Sequence, residues 1–155
     1  MNLHRYQLED WFWFAARLFV GGVFAYAGFM KLMEPAANIA AALEQYPLVP
    51  ENWYSLIAAV SPWVEWFLGM FLILGYAPRI TAGLTGAVLV SFLVLIAAGP
   101  LTSGGEAGSC GCFGSKGIKV SVKTMFLVDF ISLIICVMLV SRRKFLFSIN
   151  DWIRK

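Results

Sequence analysis

Four long apolar runs divide this chain, and they restrict the folds open to it more than any other feature. The runs cover about residues 11–33, 54–75, 80–98 and 121–140. A helix of about 20 apolar residues crosses the hydrocarbon core of a bilayer, and each run has about that length. Because lipid offers backbone amides no hydrogen-bond partner, such runs span the membrane as helices. The sequence therefore predicts an all-α integral membrane four-helix bundle, forming one domain over residues 1–155.

The composition agrees with a membrane protein and argues against nucleic-acid binding. Apolar residues make up 60% of the chain, above the roughly 45–50% that is usual in soluble domains. Charged residues make up 14%, cluster between the apolar runs and leave a net charge of only +3. The sequence has no basic stripe with interleaved aromatic residues. We expect membrane lipid as a partner, and no nucleic acid.

Two segments outside the spans have the composition of short interfacial helices. Residues 36–46 are rich in alanine, and Pro47 and Pro50 then favour an extended return to the membrane. Residues 145–155 place apolar side chains at helical spacing among polar ones, which is typical of a helix lying in the interface.

Positive charge is unequally divided between the two ends of the predicted spans. The side that holds both termini carries seven Lys and Arg residues, which are Arg5, Arg79, Arg142, Arg143, Lys144, Arg154 and Lys155. The opposite side carries four, which are Lys31, Lys116, Lys119 and Lys123. Because the more positive side faces the cytoplasm, we expect both termini inside and residues 99–120 outside.

The outward segment contains two cysteines one residue apart, Cys110 and Cys112, in the sequence SCGCFG. Their Cα atoms lie about 5.5–7 Å apart in a bent backbone, near the range that a disulfide needs. Gly111 permits the positive φ of a tight ring, and the positive charges of Lys116 and Lys119 favour the thiolate. The pattern indicates a redox-active dithiol, in a compartment where disulfides persist.

Two other interpretations of the cysteine pair stay open. The pair could form a structural disulfide in a loop of a protein that docks a maturing client. It could instead bind a metal, but metal sites commonly have three or four ligands, and the single histidine, His4, is predicted on the far side. We rank the metal interpretation last and assign no metal site.

Arg17, Lys31, Glu65 and Asp129 lie inside the predicted spans, where charge is costly and each is a functional candidate. Arg17 and Lys31 are fourteen positions apart, which places them within about 40° on one helix. Glu65 stands near the middle of the second span, and Asp129 stands about 12 Å inside the outer end of the fourth. The acids could neutralise the cations and fix the helix register. Alternatively, an acid could move protons during thiol or quinone chemistry.

Small residues in the spans indicate close packing. Gly21 and Gly28 share the helix face of Arg17 and Lys31 and would let another helix approach closely. Cys136 lies about 22 Å below the outer end of its helix. We therefore interpret it as a packing residue that cannot reach the outward cysteine pair.

Several distinctive sequence elements are spread over about residues 11–141. They are Arg17, residues 21–31 (GGVFAYAGFMK), residues 46–50 (YPLVP), Pro62 with Glu65, and residues 110–114 (CGCFG). Together they resemble the MauE branch of the DoxX-like membrane proteins, a methylamine-utilisation accessory family. The CGCFG element is the most specific part of the resemblance.

The resemblance implies a multi-pass protein of the bacterial inner membrane, with the cysteine loop in the periplasm. It implies thiol redox chemistry beside a periplasmic thioredoxin-like partner, with a disulfide-rich dehydrogenase subunit as the client. It also suggests a general similarity to four-helix quinone reductases that generate disulfides. Those enzymes use two cysteine pairs, whereas this chain has one pair and Cys136, so relay between two internal dithiols is not available.

These observations predict a membrane thiol-disulfide redox protein in which Cys110 and Cys112 exchange disulfides with the partner. Exchange proceeds by thiolate attack through a mixed disulfide. The supporting candidates are Lys116, Lys119, Glu65, Asp129, Arg17 and Lys31. The sequence shows no quinone motif, so it leaves open whether a quinone binds as a cofactor. It also leaves open whether the protein is an enzyme. The alternative is a non-catalytic membrane assembly factor with a structural loop disulfide.

Overall fold

The computed structural model describes residues 8–44, 48–98 and 122–142, and these residues form helices joined by short turns. The helices are α1 (Leu8–Leu32), α2 (Ala36–Leu43), α3 (Glu51–Leu74), α4 (Pro78–Ala98) and α5 (Val122–Ser141). Four of them, α1, α3, α4 and α5, are long and apolar enough to cross a membrane. This confirms the predicted all-α membrane bundle.

The helix ends follow from prolines and one glycine. α3 begins at Glu51, because the preceding Pro50 has extended dihedral angles (φ −66°, ψ 140°) and Glu51 suits the positive end of the helix dipole. At its other end, Gly75 has a φ of 69°, the left-handed conformation that commonly closes a helix. Pro78 then opens α4, in a position where its missing N–H is not needed.

Residues 36–46, predicted to contain a short helix, contain α2, which packs against α3. Its position in the membrane interface stays a prediction. The second predicted interfacial helix, at residues 145–155, lies outside the described residues, as does the segment 99–120.

The bundle consists of two antiparallel helix pairs, α1 with α3 and α4 with α5, joined mainly by the α3–α4 contact. Between α1 and α3 the two backbones touch. A Cβ atom on Gly28 would lie 2.8 Å from the carbonyl oxygen of Pro62, and one on Gly21 would lie 2.9 Å from that of Gly69. Side chains cannot be accommodated at such distances, so the predicted close approach of another helix to this glycine face is confirmed.

The antiparallel arrangement places the ends of α1 and α4 beside the beginnings of α3 and α5. We call this the loop end of the bundle, because residues 99–121 connect α4 to α5 there. The opposite end, where α1 begins and α5 ends, is called the termini end.

Buried apolar side chains from the four long helices form the core, from the middle of the bundle toward the termini end. They are Val20, Phe24, Leu72, Ala82, Leu89, Cys136 and Leu139. Cys136 is a free cysteine with 1% exposure, in agreement with its predicted packing role.

A group of polar contacts ties α1, α4 and α5 together at the termini end. Arg142 donates a hydrogen bond from Nη1 to Oδ1 of Asp10 at 3.3 Å, and its guanidinium lies 4.9 Å from the ring centroid of Trp13. Arg79 donates from Nε to the carbonyl oxygen of Arg142 at 2.6 Å. Both arginines therefore hold helices together at the end that the sequence predicts to be cytoplasmic.

Candidate functional site

A buried ion pair joins α1 to α3 toward the loop end. The ammonium of Lys31 donates hydrogen bonds to both carboxylate oxygens of Glu65, at 2.6 and 2.8 Å. Lys31 is 7% exposed and Glu65 is 1% exposed. Since an isolated charge at this depth would be very costly, each side chain depends on the other. The sequence left both Arg17 and Lys31 as cation partners for Glu65, and in the structure Glu65 pairs with Lys31.

The close contact between α1 and α3 is what brings this pair within reach. Gly28 lies one turn before Lys31, and its Cα faces the α3 backbone at Pro62 and Trp66, the residue after Glu65. A larger residue at position 28 would hold the helices apart. Lys31 also occupies the last turn of α1, where the helix dipole favours a cation.

A cavity of about 40 Å³ adjoins the ion pair and is lined by all four long helices. Its polar lining comes from Lys31, Glu65 and Asp129, and its apolar walls are Val23, Phe24, Ala27, Phe92 and Met125. The structure therefore brings together three of the four ionisable residues that the sequence singled out within the spans. Asp129 is half-buried and comes from α5, so the cluster draws on three helices.

An aromatic ring on α4 completes the surroundings of the ammonium. The Nζ atom of Lys31 lies 4.9 Å from the ring centroid of Phe92, a distance at which the negative face of the ring attracts a cation. The sequence did not indicate Phe92, because it is one of several large residues in a uniformly apolar run. Met125 was detectable in principle, since it precedes Asp129 by four residues and so shares its helix face.

Arg17 does not take part in this cluster. It precedes Lys31 by fourteen positions, so it lies about 21 Å further along the helix toward the termini end. Its side chain is 1% exposed, and its guanidinium lies 5.3 Å from the ring centroid of Phe14. The two cations share a helix face, as predicted, but they occupy different depths in the bundle.

The remaining predicted site residues, Cys110, Cys112, Lys116 and Lys119, lie outside the described residues. Their roles therefore stay predictions. The segment 99–121 that contains them connects α4 to α5 at the loop end, which is also the end nearer to the cavity.

The chain matches the family model described as "Methylamine utilisation protein MauE" over residues 9–142. The match covers most of the chain and includes the ion pair, the cavity and the cysteine segment. The chain belongs to the MauE family. No curated protein and no solved structure matches it. As a member of this family, it is a methylamine-utilisation accessory membrane protein.

The geometry of this MauE-family protein limits what its cavity can hold in the described conformation. Pockets for drug-sized ligands commonly have volumes of about 300–1,000 Å³, whereas this cavity has about 40 Å³. A quinone ring would therefore need the helices to separate. What the site does provide is a carboxylate and an ammonium in direct contact, with a second carboxylate across a space large enough for water.

Proposed function

We propose that this MauE-family protein exchanges disulfides through Cys110 and Cys112 with a periplasmic thioredoxin-like partner. The exchange would support maturation of disulfide-containing periplasmic proteins, of the methylamine dehydrogenase type. The observation that carries the proposal is the CGC sequence, placed between two membrane-spanning helices of a methylamine-utilisation protein. The flanking lysines support it, since positive charge favours the nucleophilic thiolate.

The exchange proceeds in two steps that balance within the two proteins. The thiolate of one cysteine attacks a sulfur of the partner's disulfide, so a mixed disulfide forms and the partner's other sulfur leaves as a thiolate. The second cysteine then attacks the mixed disulfide, which releases the partner as a dithiol and leaves Cys110 bonded to Cys112. Two electrons pass to the partner in this direction, and the same steps in reverse oxidise it. The relative reduction potentials of the two pairs determine the direction.

The orientation in this proposal places the protein in the bacterial inner membrane, with the cysteine segment in the periplasm and both termini in the cytoplasm. The positions of Arg79 and Arg142 at the termini end support this orientation, since basic residues flanking spans favour the cytoplasmic side.

A second candidate is a non-catalytic membrane assembly factor that docks a client and has a structural disulfide in its loop. One observation favours it. Cys136, which is the remaining cysteine of the chain, is 1% exposed in the core, so no second internal dithiol is available to pass electrons onward. Under this alternative, Cys110 and Cys112 stabilise the loop and form no bond with a partner.

Single serine variants of the two cysteines distinguish the candidates. The second thiol normally attacks the mixed disulfide at a very high effective concentration, because it is held two residues away. We therefore expect one of Cys110→Ser and Cys112→Ser to accumulate a covalent adduct with the partner, and the variant lacking the nucleophile to accumulate none. The measurement is a non-reducing gel of cells quenched with an alkylating agent, with Cys136→Ser as the matched control that leaves the pair intact.

The assembly-factor candidate gives the opposite pattern. Both single variants would lose stability to the same extent, and neither would trap a partner. If neither variant forms an adduct while the double serine variant still matures the client fully, disulfide exchange is wrong and the assembly role replaces it.

A further inference from the structure

The ion pair between α1 and α3 leaves hydrogen-bonding capacity unused in a buried position. A lysine ammonium has three donors and a carboxylate has about four acceptor sites. Lys31 gives two donors to Glu65, and each oxygen of Glu65 accepts one of them. Within residues 8–44, 48–98 and 122–142, these two are the hydrogen bonds of the ammonium and the carboxylate, and the ammonium also faces the Phe92 ring. A buried donor or acceptor that makes no hydrogen bond costs free energy, unless another molecule such as water binds to it.

The adjacent cavity has the size and the lining that water requires. A buried water needs about 10–15 Å³ and two to four polar partners, and the cavity has about 40 Å³. It borders Lys31, Glu65 and Asp129, which supply both donors and acceptors. Water in this space would therefore satisfy the ion pair and connect it to the carboxylate of Asp129.

The position of the cavity determines which aqueous phase such water could reach. Asp129 lies seven positions from the start of α5, about 10 Å from the loop end, and it is only half-buried. Toward the termini end, the cavity wall at Phe24 continues into the apolar core, where Val20, Leu72 and Leu89 have 0% exposure. Water in the cavity is therefore separated from the termini end by packed apolar side chains.

We infer that this cavity is a proton-exchange site, in which water links the Lys31–Glu65 pair to Asp129 and the cluster exchanges a proton with the aqueous phase at the loop end. The proton adds to a carboxylate oxygen of Glu65 or Asp129 and gives a carboxylic acid, and its release restores the carboxylate. The charged groups that face the cavity are Lys31 from α1, Glu65 from α3 and Asp129 from α5, while α4 contributes the uncharged Phe92. The inference does not depend on disulfide exchange.

The first test detects the water directly. Solid-state NMR of the protein in lipid bilayers, with Cys110 and Cys112 replaced by serine, should show magnetisation transfer from water protons to the Nζ of Lys31. Ala27→Leu fills the cavity and should abolish this transfer while the Lys31–Glu65 contact persists. Ala15→Leu, on an exposed face of the same helix, should leave it unchanged. If the native cavity gives no transfer while the ion pair is intact, the inference is wrong.

The second test detects the proton. Infrared difference spectra between mildly acid and mildly alkaline buffer should show the carbonyl band of a protonated carboxyl group in the native protein. Asp129→Asn, Glu65→Gln or both should remove the band or change its intensity, whereas the exposed Glu51→Gln should leave this buried component unchanged. Ala27→Leu should suppress it with all three charged residues still present. A folded native protein without such a band, or a band unaffected by Ala27→Leu, would overturn the proton-exchange role.

Discussion

Lys31 and Glu65 can both be charged in the bundle because each neutralises the charge of the other. Both are almost fully buried, and the two short hydrogen bonds between them replace the water that each lost on folding. Replacing a whole buried ion pair by apolar residues is often neutral, whereas removing one partner is strongly destabilising. Stability measurements on single and double variants therefore separate a true pair from two independent buried charges.

The single variant Glu65→Gln should destabilise the protein by about 3–5 kcal/mol, because it leaves the Lys31 ammonium buried without its counter-charge. Lys31→Met should cost a similar amount, and the double variant should cost clearly less than the sum. Unfolding of the detergent-extracted protein measures these free energies.

Arg17→Gln is the matched control for this cycle. Arg17 lies about 21 Å from Lys31 along α1, so its cost should add to that of Glu65→Gln within about 0.5 kcal/mol. Additivity of Glu65→Gln with Lys31→Met as well would contradict the pairing.

The sequence predicted the charged residues of the site but not how they are grouped. Lys31, Glu65 and Asp129 stand out because charge is rare in an apolar run. Arg17 and Lys31 share a helix face, so facing alone made them equivalent partners for an acid. Their difference in depth decides the pairing, and that depth follows from how α1 slides against α3. The position of Phe92 over the ammonium depends on the rotation of α4, which a uniformly apolar run does not determine.

At the scale of the helices, the backbone contact between α1 and α3 is the feature most sensitive to substitution. A Cβ atom on Gly28 would lie 2.8 Å from the carbonyl oxygen of Pro62 and 2.9 Å from the Cα of Trp66. Backbone atoms cannot move aside as a flexible side chain can, so any larger residue must separate the helices.

Gly28→Ala should therefore destabilise the protein by about 1–3 kcal/mol, the usual cost of overpacking, and should weaken the Lys31–Glu65 contact one turn away. Gly22→Ala is the matched control, since a Cβ at that position meets nothing within 4 Å and alanine is the better helix former. Thermal unfolding in detergent compares the two variants. Equal stability would show that the helices are not in backbone contact at position 28.

Two of the helices begin before the apolar runs of the sequence, for a physical reason. The apolar pattern reports where the hydrocarbon core begins and ends, whereas a helix continues until its backbone is capped. α3 therefore starts beside Pro50, with the polar residues Glu51 and Asn52 in its first turn, before the apolar run begins. α1 likewise starts at Leu8 and includes the polar residue Asp10.

At the scale of the whole molecule, the proposed orientation places the cysteine segment outside the cell membrane. In intact, reduced cells, a membrane-impermeant maleimide should label Cys110 and Cys112 and should spare Cys136, which is 1% exposed in the core. The double variant Cys110→Ser/Cys112→Ser measures the background. Labelling that appears only after the cells are broken would reverse the orientation.

The helical bundle could be predicted from the sequence, whereas its cavity could not. Bilayer thickness imposes a helix length, so four apolar runs of that length predict four spans from composition alone. The cavity requires side chains from α1, α3, α4 and α5 to meet at one depth, which depends on the rotation and the slide of every helix. No local pattern in the sequence carries that information.

The grouping of the helices into two pairs has a mechanical consequence. α1 is held to α3 by backbone contact and α4 packs along α5, while fewer contacts cross between the pairs. At the termini end the pairs are tied by the Asp10–Arg142 contact and by the short turn from α3 to α4. We therefore expect the softest relative motion to be a separation of the two pairs at the loop end, with the termini end acting as the hinge. Lys31 and Glu65 belong to one arm and Asp129 to the other, so the charge on this cluster acts across the joint that such a motion would open.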